Sequence, residues 1–165
     1  MKSHRAIYQQ RTNGLVSMTT KKTVTVLRGL PGSGKSTYAK KHHRDGVICS
    51  ADSFFLDEHG HYRFQKSRIG DAHQHCLNQF INAVLKDEID VVVDNTNTCH
   101  WEYEKYVLLA KKYGYTISIV RMHADPSQLG SLVTRNVHNV DKRTMRQMFE
   151  RFEDDPRERI VHYPF

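Results

Sequence analysis

The most specific chemistry in the chain sits in eight residues. Gly29-Leu30-Pro31-Gly32-Ser33-Gly34-Lys35-Ser36 fits G-x-x-x-x-G-K-[ST] at every fixed position. Glycines at this spacing let successive backbone N–H groups converge on phosphate oxygens, and a following helix adds its positive end. Gly29, Gly32, Ser33 and Gly34 form the cradle, and Lys35 extends to the β- and γ-phosphates. Ser36 is placed to hold Mg²⁺, and Thr37 to hydrogen-bond an α-phosphate. The expected ligand is a nucleoside triphosphate.

Two carboxylates stand where the next apolar runs end. Asp94 closes Asp90-Val-Val-Val, the layout of a residue that organises Mg²⁺ or its waters, although a loop or cap acid has the same pattern. Asp52 closes 47–51 and is expected to face the γ-phosphate and take the proton of an attacking hydroxyl. Such help is typically worth about 10²–10⁴-fold; the bland alternative is a turn cap. Asn95 and Asn97 follow Asp94 and suit a substrate or a water, though Asn-Thr-Asn-Thr alone is turn chemistry. Further on, Arg135, Asn136, His138, Lys142, Arg143 and Arg146 surround a short break between helical segments. They read as a lid over polyphosphate or, one by one, as a solvated helix face. Arg135 is the candidate for the transferring group, because it ends the first lid helix between uncharged Thr134 and Asn136. Arginines in that role contribute about 10³–10⁵ in rate. A base and a lid distinguish a kinase from a hydrolase or a switch. The histidine pairs do not suggest zinc, since on a helix His73 and His75 point about 200° apart. Trp101, Tyr103 and Tyr106 read as helix-packing residues.

The elements that must position these groups alternate. Thr23–Arg28 is a strand, 29–36 a Gly-rich turn and 37–43 a short helix; 47–50 is a second strand. Residues 53–66 read as loop. Helix 67–86 follows, with Ile69, Ala72, Cys76, Phe80 and Ala83 on one face. Strand 90–93 leads to helix 101–113, closed by Gly114, and then to strand 115–121. Asp125, Pro126 and Gln128 open one helix, and Asp141 caps another over 142–153. The reading is α/β: a parallel sheet flanked by helices, with ligands beyond the carboxyl ends of its strands. Residues 1–20 read as a flexible basic arm and 21–165 as a single domain, with the lid near 126–150.

Composition narrows the class. At 165 residues there is room for one domain, and 38% hydrophobic content implies a lean core. Cys49, Cys76 and Cys99 form no CxxC pair, which excludes a disulfide framework or cysteine zinc site and suits a reducing compartment. No apolar run is long enough to span a membrane. The expected location is cytoplasmic, or host cytoplasm for a viral protein, although the acid-free start also fits a transit peptide. Net charge is +7, but it is unevenly spread. Residues 1–44 carry ten bases and no acid, and the remainder 15 bases against 18 acids. Lys35 and, beneath the loop, Arg28 are assigned to the triphosphate; the other early bases point to a polyanionic partner.

LRGLPGSGKS (27–36), SADSFF (50–55), YRF (62–64), AHQHC (72–76), VVVDNTNTCHWE (91–102) and RNVHNV (135–140) occur in this order. Together they resemble a family of short AAA-type P-loop proteins related to the kinase half of phage polynucleotide kinase. That family includes vertebrate proteins named for binding a ubiquitin ligase. The resemblance spans about 22–155 and implies an adenylate-kinase-like P-loop fold with a helical lid. It further implies ATP and Mg²⁺, and phosphoryl transfer to a hydroxyl, often a nucleic acid 5′ end. Carried over, Lys35 and Ser36 bind ATP and Mg²⁺, Asp52 is the base and Arg135 the lid arginine. One position departs: the phage pattern has an Arg three residues after the base to grip substrate phosphate, and here Phe55 stands there. The first expectation is transfer to the 5′-OH of DNA or RNA. The alternatives are a hydroxymethylated DNA base, against which Phe54 and Phe55 would stack, and a nucleotide or small metabolite. A module that binds ATP without catalysis is a further alternative, and the Lys35–Ser36–Asp52–Asp94 set counts against it.

Overall fold

In the computed structural model, which describes residues 7–12 and 15–162, the strands and helices alternate from residue 23 onward. The elements are β1 (Ile7–Thr12), β2 (Leu15–Thr20), β3 (Thr23–Arg28), α1 (Lys35–His42), β4 (Val47–Cys49) and α2 (Ile69–Leu85). There follow β5 (Asp90–Asp94), α3 (His100–Lys112), β6 (Thr116–Met122), α4 (Leu129–Arg135), α5 (Lys142–Glu150) and β7 (Glu158–Val161). Five of the strands form one parallel sheet in the order β4-β5-β3-β6-β7. The first strand of the sheet is thus its centre, and the chain crosses to either side of it. The crevice beside its carboxyl end is where such a sheet binds ligands.

Side-chain alternation divides the core between the two faces. Val24, Val26, Val91 and Val93 pack with Cys76, Phe80, Tyr103, Tyr106 and Val107 of α2 and α3. Leu27, Val92 and Val120 pack with Tyr38 and Ala39 of α1. Tyr103 and Tyr106 are fully buried as expected, but Trp101 is exposed. On α2, Ala72, Cys76, Phe80 and Ala83 are buried and Ile69 at its start is exposed. A third, smaller core joins Leu30 of the phosphate loop to Leu129, Leu132 and Met145 of α4 and α5. The lid helices therefore rest on the loop through a leucine that the loop pattern leaves unspecified.

Three local findings differ from the sequence reading. Within the arm expected over 1–20, β1 and β2 pair antiparallel, with Thr12 opposite Leu15. In sequence, Asn13-Gly14 is the dipeptide most favoured in two-residue hairpins; residues 1–6, 13 and 14 of that arm lie outside the described set. The segment read as loop over 53–66 is organised. A 3-10 turn over Asp52–Phe55 is followed by an antiparallel bridge between Leu56 and Tyr62, with Arg63 N donating to Phe55 O at 2.8 Å. Finally, Glu158–Val161 joins the sheet as an edge strand; it is too short and too charged to show as one in sequence.

Arg28 corrects a charge assignment. It is wholly buried, with its guanidinium bound to groups of the protein itself. Its Nε donates to Asn97 O at 2.9 Å and its guanidinium also reaches Thr98 O, Glu153 O and the Glu158 carboxylate. Tyr103 and Phe152 cover its two faces. Among the described residues, no helix is long and apolar enough to cross a membrane.

Candidate active site

β3 ends at Arg28 and the chain turns at once into the loop 29–34, which opens α1 at Lys35. Gly32 has φ +77°, and a Cβ there would stand 2.5 Å from Leu132 O of α4. A Cβ on Gly29 would meet Ser33 Oγ at 2.7 Å. Both glycines are therefore required by close approach as well as by the turn. Lys35 is 9% exposed, and its Nζ donates to Leu30 O at 3.0 Å. Burial pushes its pKa below the usual lysine value, opposed by the charges of Asp94 and Asp52. The two carboxylates and the ammonium thus share one electrostatic site. Ser36 and Thr37 are exposed on the first turn of α1, and Asp94 is nearly buried at the end of β5. Ser33 Oγ is buried and has no hydrogen-bond partner among the described residues. An orphaned hydroxyl inside a Gly-rich cradle beside a desolvated Lys fits an anionic, oxygen-rich ligand. The exposed Ser36 hydroxyl and the Asp94 carboxylate are hard oxygen donors of the kind Mg²⁺ takes. No group of three or more His, Cys, Asp or Glu among the described residues could hold another metal.

Asp52 begins the 3-10 turn after β4. Ala51 N donates to Asn95 Oδ1 at 2.9 Å, tying the end of β4 to the end of β5, and Asp52 N donates to Ser50 Oγ at 3.2 Å. Its side chain is half exposed and both carboxylate oxygens are engaged. Tyr62 Oη donates to Oδ1 at 3.0 Å, and His138 Nε2 lies 3.2 Å from Oδ2. Burial, and then the Asp52 charge, raise the Tyr62 pKa far above its ordinary value, so the phenol keeps its proton and remains a donor. The Tyr62 and His138 rings pack at 4.8 Å.

Tyr62 was missed as a site residue by sequence reasoning, and His138 was read only as one of the lid residues; the approach of each to Asp52 has a local cause. The Leu56–Tyr62 bridge folds Tyr62 back over Asp52. His138 is presented by Asn136, a buried hub. Asn136 Oδ1 accepts from His138 N at 3.2 Å and Val140 N at 2.9 Å, while its Nδ2 donates to Val133 O and Val140 O. Arg135, just before, donates to Gly32 O at 2.5 Å. The three polar residues of Arg-Asn-x-His therefore divide the work: Arg135 touches the loop, Asn136 shapes the turn and His138 reaches Asp52. The motif was visible in the sequence, where all three were read as lid residues and only Arg135 was given a specific task.

Other expected substrate residues are placed differently. Asn97 is 3% exposed, with its Nδ2 donating to Leu27 O at 2.7 Å and φ +46°. It braces β3 and does not open onto the crevice. Asn95 is also nearly buried, and its two amide ends bind Ala51 N and Cys76 Sγ. It positions the Asp52 segment. Phe55 is 7% exposed and lies beneath Tyr62 and Phe64. The Phe54 ring is covered by Arg68, 4.5 Å from its centroid, and by His75. Neither phenylalanine offers a free face of the kind expected.

A nucleotide-type loop after the central strand, carboxylates at the end of β5 and just past β4, and a helical pair over the loop define a P-loop protein of kinase-like fold. The chain belongs to the family described as AAA domain, whose model matches residues 24–154. It is 32% identical over 160 residues to human NEDD4-binding protein 2, covering 88% of this chain and 9% of that protein. Two solved structures of the Pnkp1/Rnl/Hen1 complex are also similar. One has 25% identity and a TM-score of 0.54, covering 73% of this chain and 41% of the other. The second, of the RNA repair complex, has 22% identity and a TM-score of 0.63, covering 80% and 44%. A gluconokinase from Sinorhizobium meliloti shares the fold at a TM-score of 0.54 and 15% identity, covering 85% of this chain and 82% of the enzyme. The chain thus spans under half of the Pnkp1-complex chains and a small part of the human relative.

Proposed function

We propose that this chain is an ATP- and Mg²⁺-dependent kinase that phosphorylates a hydroxyl of a nucleic acid, the polynucleotide 5′-OH first. The observation that carries the reading is the Asp52 carboxylate: half exposed, held by the Tyr62 hydroxyl, with His138 Nε2 3.2 Å away, and within electrostatic reach of the phosphate-loop lysine. A protein that only bound nucleotide would have no use for such a base. Similarity to the Pnkp1 complexes and the excess of early basic residues support nucleic acid as the acceptor.

In this reading Lys35 leaves Leu30 O for the β- and γ-phosphates, and Ser33 gives its unpaired hydroxyl to a phosphate oxygen. Ser36 and Asp94 hold Mg²⁺, directly or through its waters; the ion supplies neutralisation of phosphate charge. Arg135 lies against the loop at Gly32, from where its guanidinium stabilises the transferring group. Asp52 accepts the proton as the acceptor oxygen forms its bond to the γ-phosphorus and ADP departs with the electrons of the broken P–O bond. Tyr62 keeps the carboxylate aimed. The lid excludes water, which would otherwise compete as acceptor.

The test offers γ-labelled ATP and Mg²⁺ with 5′-OH DNA, 5′-OH RNA, hydroxymethylated duplex DNA, mononucleotides and gluconate, each separately. Label is expected on a 5′-OH polynucleotide. Asp52→Asn is expected to reduce transfer about 10²–10⁴-fold while ATP binding persists, and Lys35→Ala to weaken both. Transfer only to gluconate or a mononucleotide would replace the nucleic-acid acceptor with a metabolite, and full activity of Asp52→Asn would remove the base.

A further inference from the structure

We infer that Phe64 is a stacking platform for the terminal base of a single-stranded acceptor, beside the Asp52 carboxylate; this rests on the nucleic-acid reading above. Three rings form a unit next to the base. Phe55 lies at the bottom, edge-on to Tyr62 at 5.9 Å and to Phe64 at 5.1 Å. Tyr62 and Phe64 are nearly parallel, 11° apart with centroids 6.5 Å apart. Tyr62 in turn donates to Asp52 and packs on His138 from the lid. The outermost ring is 51% exposed.

Exposed phenylalanine is ordinary when it is mobile and alone. Phe64 is neither: its backbone follows the Arg63 N to Phe55 O hydrogen bond, and its ring is braced by two aromatic neighbours. A rigid, half-open π-face loses little conformational entropy when a base settles on it. Phe64 is connected to the carboxylate through one residue: its ring runs nearly parallel to Tyr62, whose hydroxyl donates to Asp52. Lys66, exposed two residues on, forms no ion pair among the described residues and is free for a backbone phosphate. Arg63 and Arg68 are committed to Asp57 and Asp71.

This arrangement also gives the Phe55 departure a physical meaning. Where the resembling phage pattern grips the acceptor with an arginine, this chain places the foot of an aromatic stack. Hold on the acceptor shifts from phosphate charge toward base stacking, which every base can provide. The ring with the free face is Phe64, and not Phe54 or Phe55, which are covered.

The experiment measures binding of a short single-stranded 5′-OH oligonucleotide, labelled at its 3′ end, by fluorescence anisotropy, apart from any turnover. Phe64→Ala is expected to weaken binding about 5- to 150-fold, the equivalent of one lost stack. Phe64→Trp should retain it, and nucleotide affinity and Tm should be unchanged in both variants. An oligonucleotide whose 5′ residue is abasic should bind the wild type and Phe64→Ala equally. Equal binding of the intact oligonucleotide by both proteins, no binding by either, or an equal loss with the abasic oligonucleotide would overturn the platform. Phe64-dependent binding without phosphoryl transfer would leave the platform standing and overturn the kinase reading alone.

Discussion

At the scale of single residues, the site depends on how one carboxylate is held. Asp52 is a surface acid by sequence, and in the base role proposed for it the carboxylate is directed by two partners from other segments, Tyr62 and His138. His138 deserves a role because its Nδ1 is buried without a partner while Nε2 points at the carboxylate. A structural histidine would satisfy its buried nitrogen first. In the proposed reaction it would act as a positioning residue, delivered by the turn after α4. His138→Ala is expected to lower kcat about 10- to 100-fold with little change in the KM for ATP, because the carboxylate loses its aim while the loop is untouched. His138→Gln, which keeps an N–H donor, should recover part of the loss. Steady-state kinetics checks this; a fall in nucleotide affinity with unchanged kcat would show that His138 serves the fold of the lid.

Between elements, the decisive contact is the phosphate loop against α4. Leu30 enters the small core of the lid helices, Arg135 returns to Gly32 O, and a Cβ on Gly32 would clash with Leu132 O. Nucleotide loop and lid are therefore built as one piece. Gly32→Ala must adopt a left-handed backbone that costs of order 1–3 kcal/mol for a non-glycine residue, and it must push α4 away. We expect a Tm lowered by about 2–10 °C, faster amide exchange over 129–135, and weaker ATP binding. Unchanged exchange in α4 would show that the lid does not rest on this glycine. The sequence explained why glycine suits a phosphate cradle. It did not reveal that Gly32 also faces a helix a hundred residues later, since that contact has no local signature.

Across the whole molecule, Arg28 is the knot. It links β3 to the loop after β5 and to the segment leading into β7. Glu158 also accepts from Arg121 of β6, so one carboxylate joins three strands of the sheet. Arg28→Met strips three carbonyls of a donor and leaves Glu158 short of a cation. Breaking such a buried pair costs about 3–5 kcal/mol, and thermal unfolding should show a loss of that order. Lys40→Met, on the exposed face of α1, should stay within about 0.5 kcal/mol. A mild Arg28→Met with a large fall in ATP affinity would instead return Arg28 to the nucleotide. Of the early basic residues counted toward phosphate, Lys35 stays in the Gly-rich loop and Arg28 belongs to the scaffold.

The division between sequence and tertiary structure follows the range of the forces. The phosphate loop, the strand-end acids, the caps at Asp125 and Asp141 and the apolar face of α2 are set by neighbours within one or two turns. Their spacing alone therefore announced a nucleotide site on a parallel α/β sheet. The approach of His138 to Asp52, the inward turn of Asn95 and Asn97 and the burial of Arg28 depend on segments tens of residues apart, while Tyr62 and Phe64 are set by a fold-back of about ten residues. A polar or aromatic side chain takes its role from what it meets and from how much water remains around it. Folding decided both, and with them which of the legible residues do chemistry and which hold the frame.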